Sequence, residues 1–329
     1  MNNPENSANT NTPVSTFKYP LSYEGTGGEY LGILLLNFLL TAITFGLYHP
    51  WAKARRLQFL YSSTEFAKSR FSFVGTGNEM FKGFIKAIGL FVLIYLLLLF
   101  FVVVLHMPQL GVLLFYAGFL GIIPLAIHGT YKYRMARTFW RGIRLGYHGK
   151  LGELYSIFLK GFLFTILTLG FYAAWLSMNV RNYIFSHLRF GNLKFKYEGD
   201  GADYFFLNLK GYFLTIFTLG IYAFWWWRDQ VNYLVDNLSA ESEKGEKLTF
   251  KSNVTGGGLF KLMIVNLLLI IVTLGFGYAW VITRTLNYVF MNIEIEGTVD
   301  FDKLIQTEGN FGDATGDDLA SMLDIGVVI

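Results

Sequence analysis

One short string recurs along the chain and limits what it can fold into. Thr-x-Gly-x-Tyr-x-x-Trp occupies residues 44–51, 168–175 and 218–225, and a fourth copy at 273–280 moves its Tyr one place, to Tyr278. The Gly–Trp pairs are Gly46 and Trp51, Gly170 and Trp175, Gly220 and Trp225, and Gly275 and Trp280. Seven residues after each later Trp comes Asn-Tyr (Asn182-Tyr183, Asn232-Tyr233, Asn287-Tyr288), and the first copy has Gln58-Phe59 there. Upstream runs an aromatic-x-Gly-x-x-x-acid pattern: Tyr23-Gly25-Glu29, Phe73-Gly75-Glu79, Tyr147-Gly149-Glu153 and Tyr197-Gly199-Asp203. The third and fourth units superpose at an offset of 50 residues without a gap, laying Lys160 on Lys210 and Gly161 on Gly211. A fixed period marks a chain built from one supersecondary unit.

The repeats divide the chain into a polar N-terminal tail (1–16), expected to be disordered, and a membrane domain (17–297). Within that domain the units run 17–69, 70–142, 143–192, 193–247 and 248–297. The tail at 298–329 is acidic and expected to be solvated. In each unit a short alternating strand ends at a glycine, whose freedom at φ > 0 suits a turn. The acid then falls in the first turn of an apolar helix, where negative charge is favoured. Thr-x-Gly weakens that helix. A second, amphipathic helix carries Arg55 and Arg56, Arg181, Arg228 or Arg284. Each unit reads either as one span with an interfacial helix, which inverts neighbouring copies, or as a helical hairpin, which lets the strands share a side. Periodicity leaves both open.

The solvent of these helices is lipid. The chain is 53% apolar and 15% charged, against about 45–50% and about 25% in soluble domains. Apolar runs lie at 30–48, 84–105, 111–131, 154–175, 204–226 and 259–282, and about 20 residues cross a bilayer as a helix. The expected fold is therefore an all-α integral membrane protein of about six transmembrane helices, built from diverged repeats, with short β-strand segments between helices. No basic segment precedes the first run, so that run is expected to act as an uncleaved signal. With six crossings and the N-terminus outside, inner segments hold 17 basic residues and outer ones 8. The bias favours both termini outside.

Taken together, Gly25-Thr26-Gly27-Gly28-Glu29, the decapeptide from Thr44 to Lys53, Phe73-Val74-Gly75-Thr76-Gly77 and the later Thr-Leu-Gly-x-Tyr-Ala-x-Trp strings resemble the YjgN family, DUF898. The resemblance covers about residues 17–297. It implies a multi-pass protein of the bacterial inner membrane, and it supplies no reaction, ligand or functional residue.

Little in the sequence suggests chemistry. There is no Cys, which removes thiol nucleophiles and thiolate metal sites. The histidines His49, His106, His128, His148 and His187 have no metal-ligand spacing among them. No nucleophile elbow or phosphate loop is present. The expectation is a protein that is not an enzyme, with no cofactor, no metal and no nucleic-acid partner. Its partners would be the lipid bilayer and anionic lipid headgroups, the latter through the basic clusters at 53–56 and 132–144. Four polar positions fall inside apolar runs. Lys160 and Lys210 either snorkel to the headgroups or line an anion site. Asn37 and Asn266, each seven residues before a motif Thr, join helices or bind a ligand. The functional expectation is transporter- or channel-like activity, because transporters interrupt their helices at binding sites. The alternative is a structural or envelope-interaction membrane protein.

Overall fold

The computed structural model describes residues 16–308. The described part opens with β1 (Phe17–Tyr19) and β2 (Leu21–Tyr23). There follow α1 (Gly27–Ile43), α2 (His49–Ser62), β3 (Thr64–Phe66) and β4 (Ser69–Phe73). Next come α3 (Gly77–Leu99), prolonged by a π-helical turn (Phe100–Val104), then α4 (Pro108–Ala136), β5 (Thr138–Trp140) and β6 (Ile143–Tyr147). The chain continues with α5 (Leu151–Leu167), α6 (Ala173–Ser186), β7 (Leu188–Phe190) and β8 (Leu193–Tyr197). It ends with α7 (Gly201–Phe217), α8 (Ala223–Asp236), β9 (Leu238–Ser242), β10 (Lys247–Ser252), α9 (Gly256–Val272), α10 (Tyr278–Met291) and β11 (Ile293–Gly297).

The strands form one 11-stranded sheet in the order β1-β11-β10-β9-β8-β7-β6-β5-β4-β3-β2. Every neighbouring pair is antiparallel. Only Pro20 separates β1, which pairs with β11, from β2, which pairs with β3. Proline has no N–H to donate and marks a break in a strand. A single strand bent at Pro20 thus brings the two ends of the sheet together into a nearly closed barrel.

Between the strands hang five helical hairpins: α1–α2, α3–α4, α5–α6, α7–α8 and α9–α10. The helices pack in chain order, and α10 returns onto α1. The hairpin tips all lie on one side, the tight strand turns on the other.

Alternation along the strands sorts the two faces of the barrel. On β8, Leu193 and Tyr197 are buried and Phe195 packs on the core, while Lys194 and Lys196 are exposed. Phe66, Trp140, Phe190, Leu193, Ala240, Leu248 and Ile295 fill the barrel interior. The chain beyond β11 fills it too. Phe301 packs edge-on against Tyr19, Phe66 and Trp140 at centroid distances of 4.7, 5.0 and 5.6 Å. Tyr19 donates from its hydroxyl to the Val299 carbonyl at 2.5 Å, and Arg141 Nη1 meets Asp302 Oδ1 at 2.7 Å. The stretch 298–308, expected to be solvated, is packed across the mouth of the barrel. The rest of that tail, and residues 1–15, lie outside the described residues.

The expectation of a six-span, all-α fold is wrong in two respects. The strands form a continuous antiparallel barrel rather than short segments between spans. Among the described residues only two helices, Gly77–Val104 and Pro108–Ala136, are long and apolar enough to cross a bilayer. The other apolar runs are cut by Thr-x-Gly into arms of 17 and 14 residues.

Candidate functional site

The reversal that makes those short hairpins is the same in all four. The Thr hydroxyl donates to the carbonyl four residues back and accepts the backbone N–H four residues on. Thr168 bonds Phe164 O at 2.7 Å and Tyr172 N at 3.0 Å, and Thr218 bonds Leu214 O at 2.7 Å and Tyr222 N at 2.9 Å. Thr44 and Thr273 do likewise. Two left-handed residues then turn the chain. Gly46, Gly170, Gly220 and Gly275 have φ of +91°, +97°, +94° and +94°. The residue before each is also left-handed but carries a side chain: Phe45, Leu169, Leu219 and Leu274, at φ 50°, 52°, 50° and 49°. Bulky residues rarely adopt this conformation. These four are 98%, 91%, 94% and 89% exposed. Backbone strain is therefore spent on presenting a large apolar side chain at each tip. Exposed Ile43, Leu167, Phe217 and Val272 widen the same apolar end.

The motif tryptophans join neighbouring units. The indoles of Trp51, Trp175, Trp225 and Trp280 lie against Gly77, Gly201, Gly256 and Gly27, where a Cβ would collide with the ring. Trp280 against Gly27 closes the helix ring. At the remaining junction the equivalent positions are Leu125 and Leu151, so the large–small pair has become two medium residues. The aromatic-x-Gly pattern follows the same logic. Tyr23, Phe73, Tyr147 and Tyr197 fold back over Gly25, Gly75, Gly149 and Gly199. None of these glycines is among the positive-φ residues; they are small so that a ring can approach, not because a turn needs φ > 0. The fifth unit has Ser252 and Val254 instead, losing ring and glycine together.

Asn-Tyr splits its work. Gln58, Asn182 and Asn232 donate their amide N–H to the carbonyls of Gly75, Gly199 and Val254 in the next unit, at 3.0, 3.2 and 3.3 Å. The Tyr hydroxyl binds the start of its own unit's first helix. Tyr183 accepts from Lys150 N at 2.6 Å and donates to Glu153 Oε2 at 3.1 Å, and Tyr233 accepts from Asp200 N at 2.7 Å. In the second unit Tyr133 donates to Glu79 at 3.1 Å, and Arg137 grips the same carboxylate with Nε and Nη2 at 3.1 and 2.9 Å. Outside the helices, burial pushes the Tyr23 hydroxyl up to about 12.

Asn37 and Asn266 are buried and link the two arms of their own hairpins. Asn37 Nδ2 donates to Ala52 O and Asn266 Nδ2 to Thr285 Oγ1, both at 3.2 Å. The same register in α5 and α7 holds Gly161 and Gly211, covered by Leu176 and Trp226. Lys160 and Lys210 are exposed on the first helices of their units, at the same register, and the structure does not gather them with the asparagines into one pocket. Lys86, exposed on α3, occupies that register in the second unit, a match missed from the sequence. The signal was present, since Lys86 follows Glu79 by seven residues as Lys160 follows Glu153 and Lys210 follows Asp203. Among the described residues no three His, Asp or Glu side chains gather as a metal site would require.

The model of a family of bacterial proteins of unknown function, DUF898, matches residues 18–210 and 230–322. Inner membrane protein YjgN of Salmonella typhimurium is 34% identical over 130 residues, which is 39% of this chain and 31% of that protein. The proteins of the same name from Escherichia coli O157:H7 and strain K12 are each 32% identical over 126 residues, 38% of this chain and 30% of theirs. The matched stretch thus spans about a third of the length of these curated relatives. No solved structure matches the chain.

Proposed function

The chain belongs to the DUF898 family, and from that premise we propose that it is an inner-membrane protein acting as a structural or interaction platform of the envelope, neither a solute transporter nor an enzyme. The observation that carries the reading is the set of four apolar tips, Phe45, Leu169, Leu219 and Leu274, held almost fully exposed in a strained backbone. Apolar side chains exposed in such number are an interaction site or a membrane contact, and the names of the relatives favour the membrane. The basic side chains flanking the hairpins would meet anionic headgroups, at about 1 kcal/mol per charge.

Transport loses support from the same geometry. A transporter places its helix breaks near the midplane, within spans that line a path. Here the Thr-x-Gly breaks reverse the chain, and Trp140 and Phe301 are buried in the core of the barrel. Purified protein reconstituted into vesicles should resist carbonate extraction while ion and small-solute gradients decay at the rate of empty vesicles. Decay dependent on the protein would overturn the platform reading in favour of a channel or transporter.

A further inference from the structure

We propose that the barrel sits against one face of the membrane, that the four short hairpins enter only the near leaflet while α3–α4 alone crosses, and that Lys86, Lys160 and Lys210 bind the phosphates of anionic phospholipids in that leaflet. The inference rests on the membrane reading above and adds depth, sidedness and lipid class to it.

Two independent lengths meet at one register. Lys160 precedes the tip residue Leu169 by nine positions, and Lys210 precedes Leu219 by nine. At 1.5 Å per residue that is about 13 Å, close to half of the roughly 30 Å hydrocarbon core. Lys86 precedes His106, at the tip of the long hairpin, by 20 positions, or about 30 Å, the whole core. With the lysines on one phosphate plane, the short tips end near the midplane. The His106-Met107-Pro108-Gln109 loop then emerges at the far interface.

Exposure changes character at the same level. Beyond Lys160 the exposed side chains of the hairpin include Leu163, Phe164, Ile166, Leu167, Leu169 and Phe171. Before it lie Glu153 and the charged outer face of the barrel, with exposed Leu159 directly beside the lysine; on α7 the exposed Phe206 lies one turn before Lys210, at the headgroup depth where aromatic side chains are enriched. The long hairpin is bracketed: Lys86 enters, Lys132 returns, and residues 87–131 between them contain no Asp, Glu, Lys or Arg. A lysine at this border keeps its stem in hydrocarbon and its ammonium among the headgroups. Because all 27 basic residues lie outside 87–131, the positive-inside bias now puts the barrel, and with it both ends of the described chain, in the cytoplasm, the reverse of the orientation expected for six crossings. The first and fifth hairpins have Leu36 and Val265 at this register. The phosphate contacts therefore form an arc over three consecutive hairpins.

The chain has no Cys, so single cysteines report without background. We would reconstitute Leu169→Cys, Leu219→Cys, Lys160→Cys, His106→Cys and Lys194→Cys in vesicles of phosphatidylethanolamine and phosphatidylglycerol at 3:1. Each carries bimane, quenched by lipids brominated at known depths. The tip probes should lie near the midplane, Lys160→Cys among the headgroups, and His106→Cys should react with an impermeant maleimide only from the face opposite Lys194→Cys. Tip cysteines labelled from the far face, or His106→Cys and Lys194→Cys labelled from one face, would overturn the inference while leaving membrane residence intact. Probes that are all in water would instead defeat the membrane reading itself. For the phosphate contacts, brominated phosphatidylglycerol should quench bimane at Leu163→Cys several-fold better than brominated phosphatidylcholine. One contact is worth roughly fivefold, the factor equivalent to 1 kcal/mol. The combination Lys86→Gln, Lys160→Gln and Lys210→Gln should bring that ratio near one, and Lys194→Gln with Lys196→Gln should leave it unchanged. An unchanged ratio in the triple variant would overturn the lipid assignment.

Discussion

The Trp–Gly junctions make a quantitative prediction, because the chain contains its own alternative solution at Leu125 and Leu151. Gly201→Leu places a Cβ into the Trp175 indole, and overpacking of this kind costs about 1–3 kcal/mol. Trp175→Leu leaves a void where the indole lay on Gly201 and stacked on Phe205 at 5.6 Å. Whole-side-chain truncation of Trp costs about 3–5 kcal/mol, and Leu should retain about half of that. Additive behaviour would therefore cost the double variant about 3–5 kcal/mol. Together the two leucines reproduce the residues at the equivalent positions of α4 and α5, and the double variant should lose only about 1 kcal/mol. The implied coupling of about 2–4 kcal/mol reaches or passes the upper end for residues in contact. Domains of this order of size lose about 2–4 °C of Tm per kcal/mol. Thermal unfolding in dodecyl maltoside, followed by near-ultraviolet circular dichroism, should show each single variant below the double. A double variant as unstable as the sum of the singles would refute the idea that these junctions are fixed by complementary volume.

Phe301→Ala removes the ring at the centre of the barrel mouth and should cost about 3–5 kcal/mol, with a matching fall in Tm; no change would show that 298–308 contributes nothing to the barrel. Leu169→Asn and Leu219→Asn put a residue that tolerates the left-handed region at the tips, so detergent stability should hold or rise while the fraction resisting carbonate falls. A loss of stability in detergent with membrane retention intact would contradict the assignment of those side chains to lipid. Gly170→Ala and Gly220→Ala meet no atom within 4 Å. Any loss should thus be the backbone cost of a left-handed L-residue alone, about 1–2 kcal/mol, readable as a small Tm shift.

Some of this arrangement is visible in the sequence, and the hidden part has identifiable reasons. The apolar runs and the Thr-x-Gly breaks are plain on the page. Whether the break kinks a span or reverses it depends on Phe45, Leu169, Leu219 and Leu274 being left-handed, and nothing in a Leu or Phe announces that, since neither favours the region. The strands are three to six residues long, and alternation finds them without saying what they pair with. Closure needs Lys18 beside Glu296, a contact between opposite ends of the chain that no local pattern encodes. The glycines of the aromatic-x-Gly motif are easily seen and easily misread, because a small residue under a ring and a small residue in a turn look alike in sequence. Lys86 escaped because its unit lacks the Thr-Gly-Trp string that makes the other units easy to align, although its spacing from Glu79 was legible throughout.

Closure of the barrel through β1 and β11 is where the account departs most from a row of membrane spans. Lys18 and Glu296 face each other across that pair, with Nζ 2.9 Å from Oε1. Directly opposed residues on antiparallel strands have Cβ atoms about 4.5–5.5 Å apart, within range of a disulfide after a small adjustment. In the cysteine-free background, Lys18→Cys with Glu296→Cys should oxidise in native membranes to an intramolecular crosslink that shifts the monomer on a denaturing gel. Lys18→Cys with Lys196→Cys, on a strand not adjacent to β1, should not. Failure of the first pair to crosslink, or equal crosslinking of both, would contradict the closed barrel.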